Sequence, residues 1–274
     1  MSSAVVTSSR DTTRDRRIPF AAIRDTFAIA QRNLIAYRRV PQLLVFSTIQ
    51  PVIFVLMFTY VFGGSIRIPH FPYPYVDYLM PGIFTQTVVF GSIATAIGLA
   101  TDVKSGLLER FRSLPMARSA VLTGRTTADL TRNVFVVILM LVVGMAVGFR
   151  IHTNVFGLIA GELLVLLFGF AMSWIFATVG LWVGDPETAQ AAAFPVLAPL
   201  VFASTAFVSA QNMPTWLRAF ANHQPVSATA NAVRALMQGI PGPTMYYVWR
   251  ALAWDVGILL IFAPLAVRLY RRTV

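Results

Sequence analysis

Long apolar stretches without a charged residue constrain this chain more than any other feature. Residues 42–62 (QLLVFSTIQPVIFVLMFTYVF) contain no Asp, Glu, Lys or Arg. As a helix they would extend about 31 Å, which matches the hydrocarbon core of a bilayer. Similar stretches recur along the chain, and 57% of its residues are hydrophobic whereas 12% are charged. This composition predicts an all-α polytopic membrane protein rather than a water-soluble domain.

The hydropathy pattern predicts six membrane-spanning helices in one transmembrane domain, residues 18–274. We expect Pro51 to kink the first span, and we expect the fourth to tilt or project because it is long. Residues 1–17 carry several arginines and no apolar core, which is typical of a disordered tail. The six predicted spans cover residues 42–62, 80–101, 133–149, 155–183, 189–209 and 251–269.

The distribution of basic residues predicts the orientation of the chain. Most of its 22 Lys and Arg residues precede the first span, lie between the second and third, or follow the sixth. Because positive loops resist translocation, we expect these segments and both termini on the cytoplasmic side of a bacterial inner membrane. We attribute the net charge of +11 to contact with anionic lipid rather than nucleic acid. The stretch between the second and third spans contains Lys104, Arg110, Arg112, Arg118, Arg125 and Arg132.

Two cytoplasmic segments have the periodicity of amphipathic helices. Residues 20–40 are expected to form an interfacial helix that anchors the chain in the headgroup layer. In residues 104–114, Leu107, Phe111 and Leu114 form an apolar stripe at i, i+4 and i+7 with basic residues beside it. This second helix either lies on the membrane surface or docks into a cytoplasmic partner.

A third segment, on the predicted outer side, is too polar to span the membrane and too apolar to be free in solvent. Within residues 214–239, Pro214 and Pro225 favour two helix starts, and Gly239 favours an end. We expect two short re-entrant helices in the outer leaflet. They either cap a pathway and pack a dimer or simply fill the interface.

No motif for catalysis or nucleotide binding is present. The sequence has no G-x-x-x-x-G-K-[ST] loop, no H-E-x-x-H, no G-x-S-x-G and no cysteine, so we do not expect ATP binding by a phosphate loop or enzymatic activity. His70, His152 and His223 have no ligand-like spacing, and no metal site is predicted.

Three acidic residues require an explanation. Glu162 lies about two turns inside the fourth span, where an unpaired charge is costly, so it should point into the bundle. It either hydrogen-bonds to another span, lines a pathway or meets a cationic substrate. Asp255, one turn into the sixth span, can reach the outer interface and is expected to be structural. Asp102 is expected to start the cytoplasmic helix.

Three stretches resemble the permease subunits of type 2 ATP-binding-cassette exporters, particularly the daunorubicin-resistance permease group. They are DYLMPGI (77–83), SGLLERFRSLPMARSAVLTGR (105–125) and MPTWLRAFANHQPVSATANAVRALMQG (213–239), and the resemblance covers nearly everything after residue 20. One departure is HQP at 223–225, where related permeases often have an asparagine before the proline. The shape of the outer helices therefore stays open.

The resemblance implies one half of a transporter that moves an amphipathic drug or lipid-like substrate out of the cytoplasm or the inner leaflet. Two permeases, identical or different, would lie side by side, each bound to a nucleotide-binding ATPase subunit made as another chain. ATP and Mg would belong to that subunit, and this chain would hold no cofactor. Closure of the ATPase pair would move residues 104–114 and shift the spans between inward-facing and outward-releasing arrangements.

Carried over by position, the resemblance implies three groups of site residues. The predicted ATPase-subunit interface contains Lys104, Leu107, Leu108, Glu109, Arg110, Phe111 and Arg112, with part of the interfacial helix. The predicted substrate pathway contains Phe54, Phe58 and Phe84, to which Glu162 is added from its position in the fourth span. The predicted outer lid contains Trp216, Phe220, His223, Pro225 and Arg234.

The sequence supports two other classes of function less well than it supports an exporter permease. An ion-coupled secondary transporter would need charge pairs or broken helices near the middle of the membrane, and Glu162 alone is thin support for one. An intramembrane enzyme would need a converging nucleophile, base or set of metal ligands, which the sequence does not offer.

Overall fold

The computed structural model describes residues 41–66, 68, 69, 71–107, 118–240 and 242–273, and all the regular secondary structure of these residues is helical. This confirms the predicted all-α class for the described part of the chain. The predicted tail (1–17), the interfacial helix (20–40) and residues 108–114 lie outside it. The helices are α1 (Pro41–Leu56), which continues as a π-helical turn (Met57–Phe62), α2 (Tyr75–Gly91), α3 (Ile93–Lys104), α4 (Arg118–Val147), α5 (Val155–Val183), α6 (Pro186–Phe202), a short 3-10 helix (Ala210–Asn212), α7 (Thr215–His223), α8 (Pro225–Gln238) and α9 (Thr244–Thr273).

Four helical stretches among the described residues are long and apolar enough to cross a membrane. They are Tyr75–Lys104, which joins α2 and α3, Leu122–Val147, Val155–Val183 and Thr244–Arg272. The chain is therefore a multi-pass membrane protein. The apolar part of α1 and the helix α6, with 17 residues, are shorter.

The helices differ from the predicted spans mainly at their ends. The helix α5 has the bounds of the fourth predicted span, but α4 begins at Arg118 instead of residue 133. Arg125 and Arg132 therefore lie inside a helix of the bundle, and their placement between the second and third spans was wrong. Polar residues with partners on a neighbouring helix continue a helix beyond its apolar core, and a hydropathy window does not detect this. The helix α6, by contrast, is shorter than predicted at its C-terminal end. It ends at Phe202, whereas the fifth predicted span ends at residue 209.

The helix α5 is the centre of the bundle, and it contacts α2, α3, α4, α8 and α9. The side chain of Asn154 accepts a hydrogen bond from the backbone N–H of Gly157 (2.8 Å) at the start of α5. Near the other end, a Cβ at Gly180 would lie 2.3 Å from the carbonyl oxygen of Ala96. The backbones of α5 and α3 thus touch, because position 180 has no side chain. This close packing fixes α3 against the central helix.

The segment between α6 and α9 folds back onto the bundle instead of crossing it. The turn at residues 203–208 leads to α7 and α8, and α8 packs against α2, α5 and α9. The two predicted short helices are present, at Thr215–His223 and Pro225–Gln238. The side chain of Gln224 caps α8 by accepting from the N–H of Val226, and Pro225 occupies the first turn, where its missing N–H costs nothing.

Candidate coupling and translocation sites

An ion pair joins two helix ends at the predicted cytoplasmic end of the bundle. Lys104 is the last residue of α3, and its Nζ donates to Oδ1 of Asp185 (2.7 Å). Asp185 is the N-cap of α6, and its Oδ2 accepts from the N–H (3.0 Å) and the Oγ1 (2.9 Å) of Thr188. The ammonium of Lys104, followed by the two donors of Thr188, holds the pKa of the Asp185 carboxyl well below its usual range. The chain thus enters residues 105–117 from a point that is tied to α6.

Only part of the predicted ATPase-subunit interface lies within the described residues. Lys104 is exposed, with 63% of its side chain accessible, and Leu107 is half-buried. The remaining residues of this predicted interface lie outside the described part of the chain. They are Leu108, Glu109, Arg110, Phe111 and Arg112.

The two helices that flank residues 105–117 meet through charged side chains. Nη1 of Arg125 on α4 lies 3.6 Å from Oδ2 of Asp102 on α3, and Oγ1 of Thr95 donates to Oδ2 of Asp129 (2.5 Å). Asp102 lies two residues before the end of α3, so the expectation that it starts a helix was wrong. It is instead a partner for a basic residue that the sequence assigned to a loop.

Two of the predicted pathway residues belong to a group of stacked rings. Phe54 and Phe58 of the first helix stack on each other with centroids 6.0 Å apart, and Phe58 stacks on Phe207 at 4.5 Å with an interplanar angle of 8°. Phe62 and Phe202 complete this group, which we name the phenylalanine cluster. Phe202 is 50% exposed and Phe62 is 41% exposed, so the cluster opens to the surface between α1 and the end of α6.

Phe84 and Glu162, the other two predicted pathway residues, lie elsewhere. Phe84 is fully buried and makes an edge-to-face contact with Phe149, at 6.1 Å between centroids. The carboxylate oxygens of Glu162 are buried without a hydrogen-bond partner among the described residues. The carboxylate oxygens of Asp255 are also buried and also have no such partner. The structure therefore shows no hydrogen bond from Glu162 to another described span. The burial of Asp255 contradicts the expectation that it reaches the outer interface.

The predicted lid residues fall into an exposed group and a buried group. Trp216 is 74% exposed and Phe220 is 45% exposed, one turn apart on α7. His223 ends α7, and its Nδ1 lies 2.8 Å from the carbonyl oxygen of Ala219. Pro225 and Arg234, by contrast, are buried in α8. The structure does not bring the five predicted lid residues together into one site.

Arg234 joins three parts of the bundle at its predicted outer end. Its Nε donates to the carbonyl oxygen of Tyr78 (2.8 Å), and its Nη2 donates to those of Thr205 (2.7 Å) and Ala206 (2.8 Å). The guanidinium carbon also lies 3.7 Å from the centre of the Tyr78 ring, a cation–π contact. The side chain is 1% exposed. Arg234 therefore links α8 to the start of α2 and to the turn after α6.

A second polar contact lies at the predicted outer end of the bundle, and we did not predict it from the sequence. Asp77 on α2 accepts from the backbone N–H of Arg150 (2.8 Å), and its Oδ2 lies 2.8 Å from Nε2 of His152. The ring of His152 stacks on Tyr73 with centroids 3.6 Å apart. No group of three possible metal ligands occurs in the described ranges. The only signal for this contact was an acidic residue beside the aromatic residues before the second span.

Comparisons with known proteins match most of the chain. Residues 24–237 match the model of the family described as ABC-2 type transporter. The chain is 35% identical over 250 residues to the daunorubicin resistance ABC transporter permease protein DrrB1 of Streptomyces coeruleorubidus, covering 91% of this chain and 87% of that protein. It is 30% identical over 195 residues to the probable doxorubicin resistance ABC transporter permease protein DrrC of Mycobacterium tuberculosis, covering 71% of this chain and 69% of that protein. A putative transport permease, ycf38 of Cyanophora paradoxa, is 24% identical over 219 residues, or 79% and 75% of the two chains.

Proposed function

Because the chain belongs to the ABC-2 type transporter family, we propose that it is the membrane-spanning permease of an exporter that a separate ATPase subunit drives. The permease itself hydrolyses nothing, and ATP and Mg act on the partner chain. The substrate is an amphipathic drug or a lipid-like molecule, which leaves the cytoplasm or the inner leaflet. The relatives named for daunorubicin and doxorubicin resistance support the drug alternative.

The family match over residues 24–237 carries this proposal. It covers residues 104–114, the helix α7 and the helix α8 up to residue 237. The comparisons give no support to the ion-coupled alternative, since the relatives are ABC transporter permeases. We therefore retain the ATP-driven function alone.

The proposed topology has six spans, with α1 and α6 as the first and fifth and both termini in the cytoplasm of a bacterial cell. The four long apolar helices support four of these spans. The ion pair of Lys104 and Asp185 lies at the end of the bundle that the basic residues assign to the cytoplasm. Arg234 and Asp77 mark the opposite, outer end.

In this topology, residues 104–114 form the surface for the ATPase subunit. The chain enters this segment from α3 and leaves it into α4, two helices that contact each other. A force applied to the segment therefore acts on two spans at once. Lys104 lies at the edge of this surface, where its ammonium is exposed to a partner while it is paired with Asp185.

The phenylalanine cluster is the proposed wall of the substrate pathway. Its rings lie between the first span and the end of the fifth, and Phe62 and Phe202 open to the surface. Flat apolar rings suit an aromatic drug or an acyl chain, since both stack on or pack against them without a hydrogen bond. Separation of α1 from α6 would open this wall to the bilayer.

The outer helices α7 and α8 are the proposed lid of this pathway. Arg234 holds α8 against α2, whereas Trp216 and Phe220 face outward from α7 toward the outer leaflet or a second permease. The second permease, either a copy or a paralogue, is expected because Mycobacterium tuberculosis has two separate relatives of this chain, named DrrB and DrrC.

The direct test is purification of the chain with a candidate ATPase subunit that contains a phosphate loop, followed by transport of doxorubicin into inside-out vesicles. We expect ATP-dependent uptake by the wild-type pair. Phe111→Ala should preserve expression but separate ATP hydrolysis from transport. Phe156→Ala is the matched control, because Phe156 is 82% exposed at the start of α5, on the opposite side of the membrane. Uptake at the normal rate by the Phe111 variant would exclude residues 104–114 as the coupling surface.

A further inference from the structure

The contact between α2–α3 and α4 is built from buried polar and charged groups at regular helical spacing. Nη2 of Arg132 donates to the carbonyl oxygen of Gly91 (2.6 Å), and Oγ1 of Thr95 donates to Oδ2 of Asp129 (2.5 Å). Nη1 of Arg125 lies 3.6 Å from Oδ2 of Asp102, and its Nη2 donates to the carbonyl oxygen of Ala94 (3.4 Å). We name this set of contacts the polar ladder. Its members are Gly91, Ala94, Thr95, Gly98 and Asp102 on one side and Arg125, Asp129 and Arg132 on the other.

The spacing of these residues keeps the two sides of the polar ladder in register. On α4 the ladder residues are four and three positions apart. On the facing side, residues 91, 95, 98 and 102 are four, three and four apart, and Ala94 precedes Thr95, so each set lies on one helix face. The ladder runs from Asp102 to Gly91, a rise of about 16 Å, which is about half of the hydrocarbon thickness. It therefore continues from the edge of residues 105–117 to the middle of the bundle.

The position of Arg125 depends on Gly98. A Cβ at position 98 would lie 1.4 Å from Nη2 and 2.0 Å from Cζ of Arg125. The guanidinium thus occupies the space that any other residue at position 98 would fill. The clash would involve the far end of a flexible side chain, so a methyl group at position 98 should displace the guanidinium and leave the helices in place.

Apolar packing alone would hold two spans together at a lower cost than buried charges. Asp129 is 1% exposed, Arg132 is 7% exposed and Asp102 is 8% exposed. Burial of such groups is expensive even when they are paired, but it specifies one register because any sliding of the helices leaves charges without partners. The ladder is thus suited to rigidity more than to stability.

We propose that Arg125, Asp129 and Arg132 are positioning residues that hold α3 and α4 as one rigid hairpin, so that displacement of residues 105–117 reaches the middle of the membrane. This inference rests on the proposed function, in which an ATPase subunit displaces that segment. The ladder ends at Gly91, beside Ser92, where α2 stops and α3 begins. The rigid unit is accordingly α3 with the facing half of α4.

Distance measurements between spin labels test the rigidity without knowledge of the substrate. The chain has no cysteine, so label pairs can be placed at Thr101→Cys with Thr131→Cys, two exposed positions within the hairpin. A reference pair joins Thr101→Cys to Leu260→Cys on α9, a position that is 71% exposed. In the complex with its ATPase subunit, we expect ATP to change the reference distance and not the hairpin distance. A changed hairpin distance would overturn the rigid hairpin, whereas no change in either pair would count against ATP-driven motion and so against the proposed function.

A disulfide tests whether the ladder must stay closed. In the variant Thr95→Cys with Asp129→Cys, the reduced form lacks one ladder contact, and oxidation replaces that contact with a covalent bond. We expect doxorubicin transport per ATP hydrolysed to fall about three-fold in the reduced form and to recover on oxidation. Loss of transport on oxidation, reversed by a reductant, would show that α3 and α4 separate during the cycle and would exclude the proposal.

The glycine at position 98 provides a third test that does not remove a charge. Gly98→Ala should lower transport per ATP hydrolysed about three-fold while binding of the ATPase subunit is unchanged. Gly257→Ala is the matched control, since a Cβ at position 257 of α9 would meet nothing within 4 Å. Equal coupling in the two variants would overturn the role of Arg125. If Gly98→Ala does not accumulate in the membrane, the disulfide variant alone tests whether the polar ladder must stay closed during transport.

Discussion

Lys104 and Asp185 are 81 residues apart in the sequence and 2.7 Å apart in the structure, where the Nζ of the lysine donates to Oδ1 of the aspartate. The pair joins the end of α3 to the start of α6. Because α6 carries Phe202 of the phenylalanine cluster, the pair connects the proposed coupling surface to the helix beside the proposed pathway.

Substitutions at Asp185 separate its two roles. Asp185→Asn should keep the N-cap on Thr188 but lose the ion pair, whereas Asp185→Ala should lose both. We expect Asn to lower transport per ATP hydrolysed with a small fall in melting temperature, and Ala to lower transport and to lower the melting temperature further. Equal transport by wild type and the Asn variant, measured in vesicles, would show that the ion pair carries no coupling.

The same pair predicts a dependence on pH. Lys104 and Thr188 lower the pKa of Asp185, so this carboxyl stabilises the fold above its unfolded pKa of about 4, and the contribution disappears as the pH falls through the lower folded value. The difference in melting temperature between wild type and Asp185→Asn should therefore be constant from about pH 8 to pH 5. It should shrink only under more acidic conditions. A difference that disappears near neutral pH would contradict the pairing.

Arg234 should be the most sensitive basic residue outside the polar ladder. Arg234→Met removes one donor from each of the carbonyl oxygens of Tyr78, Thr205 and Ala206, and only that of Thr205 keeps a side-chain donor, the hydroxyl of Tyr78. This loss should cost about 2 kcal/mol or more. Arg234→Lys should recover only part of this, because an ammonium lacks the planar fork of donors. Arg272→Lys, at an exposed position, is the control. Thermal unfolding in detergent measures the melting temperatures of the three variants. Equal melting temperatures for Arg234→Met and Arg272→Lys would contradict the structural role of Arg234.

Two phenylalanines in the predicted pathway should respond differently to truncation. Phe84 is fully buried, so Phe84→Ala should destabilise the fold by about 3 kcal/mol through a cavity. Phe58 is only half-buried in the phenylalanine cluster, so Phe58→Ala should reduce doxorubicin transport with a smaller loss of stability. Transport and melting temperature, measured on both variants, check this. Normal transport by Phe58→Ala at saturating ATP would remove the cluster from the pathway.

The carboxyl group of Glu162 should tolerate the loss of its charge. Its oxygens are buried with no hydrogen-bond partner among the described residues, and a charge there would be costly. Glu162→Gln should therefore leave the melting temperature unchanged or raise it, while Glu162→Lys should prevent accumulation in the membrane. A large destabilisation by Gln would reveal a cation, from the substrate or another chain, that balances the charge.

Some of the structure follows directly from the sequence because it is local. The apolar run of residues 155–183 and the N-cap at Asn154 specify α5, and the prolines at 214 and 225 specify the starts of α7 and α8. Hydrogen bonds within a helix close over a few residues, so periodicity and capping signals suffice for them. The resemblance to the exporter permeases, which the family match confirms, also depended only on contiguous stretches.

The contacts between these helices required the tertiary structure. Arg125 and Arg132 have the composition of a cytoplasmic loop, and only the approach of α3 to α4 shows that their charges lie within a helix contact. Phe207 likewise stacks on Phe58, and Arg234 donates to Tyr78, in both cases across more than 100 residues of sequence. Hydropathy measures the cost of placing a side chain in lipid but not the compensation from a partner on another helix. The sequence therefore determined which segments are helical and apolar, and the packing of those helices decided which polar residues lie inside the bundle.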